Sequence, residues 1–100
     1  MYYVIEGVDV PDSLPLRMAA RPAHLERLEA LQADGRLLLA GPFPAIDSEH
    51  PGDAGFVGSL IIARFNNLAE ATEWAYADPY QLGGVYSLVS IKPFKQVFPH

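Results

Sequence analysis

The sequence contains no cysteine. Disulfides, thiolate nucleophiles and cysteine-based zinc sites are therefore excluded. Positive charge is scarce as well: 7 Lys and Arg stand against 12 Asp and Glu, for a net charge of −5. The few basic residues are scattered, which is not the footprint of a nucleic-acid binder. An acidic total also disfavours an anionic membrane surface. No apolar run approaches the roughly 20 residues of a membrane-spanning helix. The opening "MYYVIEGVDV" has neither the basic region nor the cleavage site of a secretory signal. These absences predict a soluble, cytoplasmic protein that binds neither nucleic acid nor membrane.

What is present is a core. Half of the 100 residues are hydrophobic and 19% are charged, which suits one globular domain spanning 1–100. Tyr2–Val8 is β-branched and aromatic and predicts a first strand. Ser13 can cap a short helical turn. Pro22 suits the first turn of a helix that stops at Gly35. Leu37–Pro44 and Ser59–Phe65 predict strands two and three, Asn67–Asp78 a second helix halted by Pro79, and Tyr86–Phe94 a fourth strand. The connection at 45–57 is long for a hairpin, which makes it a candidate lid.

The order βαββαβ is the split, ferredoxin-like arrangement. It predicts an α+β fold: an antiparallel four-stranded sheet, ordered 4-1-3-2, with two helices on one face. Strand one is apolar on both sides, and Leu37–Ala40 and Leu60–Ala63 are apolar throughout. A strand with one wet face should alternate. Two helices cover one face only, so a second copy of the chain is the expected cover for the other, making a homodimer.

The segment "RPAHLERLEALQADG" carries the chemistry. At about 100° per residue, Arg21 and His24 fall on the stripe of Leu25, Leu28 and Leu31, and so point toward the sheet. A histidine on such a face is often just a satisfied core residue, and an arginine at a helix rim often snorkels. Together they form a corner that attracts an anion. Asp78 of "ADPY" falls at the end of the second helix, where a carboxylate opposes the helix dipole unless it has another task. The connectivity brings Asp78 and His24 to the same end of the molecule. A carboxylate orients an imidazole and stabilises its charged form. With no Ser or Cys nucleophile beside them, the pair suits general acid–base chemistry. Ser59, at the start of strand three, and Tyr80 are candidate pocket residues. His24, His50 and His100 lack metal-ligand spacing. The glycines of "GDAGFVG" are not placed as a phosphate loop.

Read in order, "RPAHLERL", "GRLLLAGPFPAID", "GSLIIARF", "WAYADPY" and "VYSLVSIKPFKQVF" resemble the YciI-like family over nearly the whole chain. The resemblance implies a ferredoxin-like fold, and a dimeric α+β barrel packed sheet to sheet. It also implies a site built on a histidine and an aspartate, here His24 and Asp78, with Arg21 as a pocket arginine. The resemblance brings in one relative that is a dehydrochlorinase of a chlorinated hydroxyhydroquinone, and related barrels that include muconolactone isomerase and cofactor-free oxygenases. The expectation is a small cofactor-independent enzyme. In it His24 is the acid–base, Asp78 orients it, and Arg21, Ser59 and Tyr80 contact a small anionic, oxygenated substrate. A non-catalytic metabolite-binding module and a purely structural His–Asp clamp are the competing readings.

Overall fold

The computed structural model describes residues 1–100. Four strands form one antiparallel sheet: β1 (Tyr2–Asp9), β2 (Leu37–Pro44), β3 (Phe56–Arg64) and β4 (Tyr86–Phe94), in the spatial order β2-β3-β1-β4. Helices α1 (Leu14–Ala33) and α2 (Leu68–Tyr76) and a short α3 (Pro79–Leu82) complete the chain. The ferredoxin-like order expected from the sequence is present, with the same strand order. No helix is long and apolar enough to cross a membrane.

The register sorts side chains by face. Tyr3 pairs with Ala63 and Ile5 with Ile61. These four meet Leu31 of α1 and Ala71 and Ala75 of α2 in the main core. The alternate residues Val4, Val8, Leu39, Leu60 and Leu88 share the opposite face. Nothing within the chain covers it: Leu88 stays 63% exposed and Val8 43%.

Three elements differ from expectation. The first helix does not begin at Pro22. It is one 20-residue helix from Leu14, with Pro22 inside it. Pro15 takes the first-turn position where a missing N–H costs nothing. Pro22 removes one backbone bond, toward Met18, but the helix continues through it. The segment before it contributes good helix formers, Leu16, Met18, Ala19 and Ala20. A buried side chain, Arg17, anchors that same segment to the strand before it. Ser13 does stand at the N-cap, but its hydroxyl donates to Asp9 rather than capping the backbone. Arg21 and His24 consequently lie mid-helix, not at the rim.

The second correction concerns Asp78. Helix α2 ends at Tyr76, and Asp78 is the N-cap of α3, its carboxylate accepting from the Tyr80 N–H. Its charge sits where a helix start favours it, so no conflict with a dipole exists. The third concerns β3, which starts at Phe56. Ser59 therefore lies within the strand and is buried, not at its mouth.

Two glycines let the layers approach. A Cβ on Gly7 would lie 2.5 Å from the ring of Tyr86, and one on Gly58 would lie 2.5 Å from the Gly7 carbonyl oxygen. Side chains at either position would push β4 or β3 away from β1, just beneath the site described next.

Candidate functional site

A cleft of about 360 Å³ opens between α1 and strands β2 and β3. Its walls are mainly aliphatic, with Leu14, Met18, Leu25, Leu28 and Ile61 among them, and its polar side chains come from Arg17, Arg21, His24, Ser59 and Tyr80. A mostly apolar cavity with a few convergent polar groups is the usual form of a small-molecule site, and this one is at the small end.

His24 is buried on the inner face of α1, and Asp78 is buried at the start of α3. The imidazole Nδ1 lies 2.8 Å from Asp78 Oδ1. Because a carboxylate only accepts, Nδ1 carries the proton and donates. The same oxygen accepts from the Tyr80 N–H, also at 2.8 Å. Tyr80 then stacks its ring on the imidazole, with centroids 3.8 Å apart and planes 7° from parallel. Position, tautomer and ring plane of His24 are all fixed. Nε2 has no protein partner and is not among the sealed, unpartnered polar atoms, and His24 lines the cleft.

The sequence reading missed a second buried pair. Arg17 is 4% exposed and holds Asp9 with two parallel bonds, Nε to Oδ2 at 2.6 Å and Nη2 to Oδ1 at 2.8 Å. Its Nη2 also donates to the Gly58 carbonyl and to Ser59 Oγ, both at 2.8 Å. Burial works to lower the Arg17 pKa, but the bonds to Asp9 and its charge outweigh burial, and the net direction is upward. The helical wheel contained the signal: carried back through Pro22, it puts Arg17 about 20° from His24. Starting the helix at Pro22 hid it.

The expected residues thus divide. His24 and Asp78 are in contact. Tyr80 is buried between His24 and Arg17, whose guanidinium carbon lies 5.0 Å from its ring centroid. Ser59 lines the cleft, but its oxygen already accepts from Arg17. Arg21 lines the cleft while remaining solvent-exposed. His50 is exposed in the loop between β2 and β3, which spans 45–55 rather than 45–57 and whose base is closed by a bond from Ala45 N–H to the Gly55 carbonyl. No three His, Asp or Glu side chains come together as a metal-ligand set.

Residues 1–95 match the YCII-related domain. The chain belongs to that family. It is 58% identical over 98 residues to Protein YciI of Escherichia coli, covering 98% of this chain and all of that one. It is 34% identical over 92 residues to the derivative of benzaldehyde biosynthesis cluster protein C of Emericella nidulans, covering 90% and 94%. The structure of 5-chloro-2-hydroxyhydroquinone dehydrochlorinase from Burkholderia phenoliruptrix, solved with 2,5-dihydroxybenzoquinone, superposes with a TM-score of 0.83 at 26% identity, covering 95% of this chain and 94% of that one.

Two phenols border the site. Burial pushes the Tyr86 hydroxyl well above its ordinary 10.0. Burial also raises Tyr80, against the pull of Arg17 and Arg21. Both side chains are neutral at physiological pH. A raised folded-state pKa gives stability that is fully present below the unfolded value and is lost as pH rises through the folded one. Stability should therefore fall above about pH 10. At pH 11, one unit above the unfolded value, Tyr86 alone contributes a loss on the order of 1 kcal/mol. Urea unfolding at pH 9 and pH 11 checks this: Tyr86→Phe should lose less stability than wild type between the two. Equal losses would mean Tyr86 titrates normally.

Proposed function

We propose that the protein is a small cofactor-independent enzyme that moves a proton on a compact oxygenated molecule, with His24 as general acid–base. The observation that carries this reading is the buried Asp78–His24 bond through Nδ1, which leaves Nε2 without a protein partner on a side chain that lines the cleft. An imidazole held this way presents a lone pair when neutral and a proton when charged. Asp78 orients the ring and stabilises the imidazolium that forms during transfer. Arg21 and Tyr80 contact the substrate, and Ser59 positions Arg17 beside it. Isomerisation, elimination of a leaving group such as chloride, and hydrolysis of an activated bond all fit a single acid–base centre. The dehydrochlorinase with the same fold, and its bound dihydroxybenzoquinone, favour a ring-sized oxygenated substrate.

The test is turnover of chlorinated hydroxyhydroquinones, hydroxybenzoic acids and small lactones, followed by chloride release and by solvent deuterium entering the substrate. For any compound turned over, His24→Asn should lower kcat by about 10²- to 10⁴-fold, and Asp78→Asn should also reduce it, by a smaller factor. A binding module would hold the compounds unchanged. A structural clamp would show stability loss in both variants with no turnover to lose.

The open sheet face supports a second part of the reading: two copies pack face to face as a dimeric α+β barrel. An apolar surface that includes Val8, Leu39 and Leu88 costs free energy in water and gains it when covered by its own twofold copy. Sedimentation should give a dimer for wild type and a folded monomer for Leu88→Glu, which places a charge in that face. A monomeric wild type would overturn this assembly.

A further inference from the structure

One nitrogen of Arg17 stays outside the grip on Asp9 and β3. Nε and Nη2 are fully engaged with Asp9, Gly58 and Ser59. Nη1 makes none of these bonds, is not among the buried polar atoms left without a partner, and has the Tyr80 hydroxyl as its polar neighbour. Arg17 lines the cleft, and Nη1 is its one guanidinium nitrogen outside the bonds to Asp9, Gly58 and Ser59. The Tyr80 hydroxyl lies within side-chain hydrogen-bond reach of Arg17, and as an acceptor from the guanidinium it keeps its own proton to donate. Arg21, one helical turn along α1, lines the same wall and makes no ion pair.

From this juxtaposition we infer that Arg17 Nη1, the Tyr80 hydroxyl and Arg21 form a carboxylate-binding end of the cleft, and that the substrate is a compact monocarboxylate whose reacting proton meets His24. The inference rests on the cleft being the substrate site proposed above. Three donors converging from separate side chains need more than one acceptor oxygen, which a carboxylate supplies. Charge sets the stoichiometry: Asp9 neutralises Arg17, Arg21 is unpaired, and one positive charge matches one negative. Arg17 is held rigid and desolvated, so its bond to an anion is stronger than one from a solvated side chain. Arg17 and His24 are seven residues apart, about 10 Å along α1. A ligand spanning them has the dimensions of a single substituted ring, in keeping with a cleft of about 360 Å³.

The experiment is an NMR titration of ¹⁵N-arginine-labelled protein with benzoate and with its uncharged analogue benzamide, following the Arg17 guanidinium and the His24 ring signals together. Benzoate should shift the Arg17 signal saturably, and benzamide should bind at least tenfold more weakly. Arg17→Lys keeps a charge for Asp9 but has no second nitrogen for the ligand, and should weaken benzoate at least tenfold. An Arg17 signal that ignores benzoate, equal binding of benzamide, or unchanged affinity in Arg17→Lys would each overturn the inference. If Arg17→Lys does not fold by circular dichroism, the wild-type titration decides alone. The His24 signals keep the two readings apart. Benzoate that shifts Arg17 and leaves His24 unmoved upholds the carboxylate site while counting against His24 as the reacting group.

Discussion

One carboxylate oxygen ties the two halves of this chain together. Asp78 Oδ1 accepts from the Tyr80 N–H and from His24 Nδ1 at the same distance, 2.8 Å. The first bond starts α3 and sets where Tyr80 lies. The second holds α1 against that start. Removing the oxygen would free the imidazole, the helix cap and the tyrosine at once. A buried carboxylate is costly unless all its neighbours are arranged for it, and here a helix N-terminus and an imidazole are.

A second carboxylate, Asp9, does the same at the other end of the cleft. It closes β1 and receives Arg17 in a two-point grip, with Ser13 also donating to it. Between the two anions runs a continuous column: Arg17, then the Tyr80 ring, then His24. Breaking a buried ion pair by removing one partner generally costs about 3–5 kcal/mol, because a lone charge stays behind. Such pairs are a poor way to gain stability and a good way to fix geometry. Gly7 and Gly58 fit the same account, since each gives up a side chain so that Tyr86 and the sheet can close beneath the column.

The fold was legible because its signals are local. Strand composition, breaker residues and the order of elements led to the βαββαβ topology and to the neighbouring positions of His24 and Asp78. Apolar residues on both faces of β1 marked a sheet with one bare side. What escaped was set by long-range chemistry. Pro22 reads as a helix start, but tertiary anchoring through Arg17 carries α1 back to Leu14. Asp78 reads as a misplaced C-terminal charge until α3 exists for it to cap. Arg17 lies on the His24 stripe of the wheel but was cut off by the helix start at Pro22, and its partners, Asp9, Gly58 and Ser59, lie 8, 41 and 42 residues away.

The central claim is that Asp78 fixes the proton on Nδ1 of His24 and leaves Nε2 to the cleft. The ¹⁵N spectrum of the His24 ring, recorded at a pH where the imidazole is neutral, tests it most directly. The account predicts a protonated Nδ1 and an unprotonated Nε2 in wild type, and a mixture of tautomers in Asp78→Ala. A wild-type ring protonated on Nε2, or a tautomer indifferent to Asp78, would contradict it.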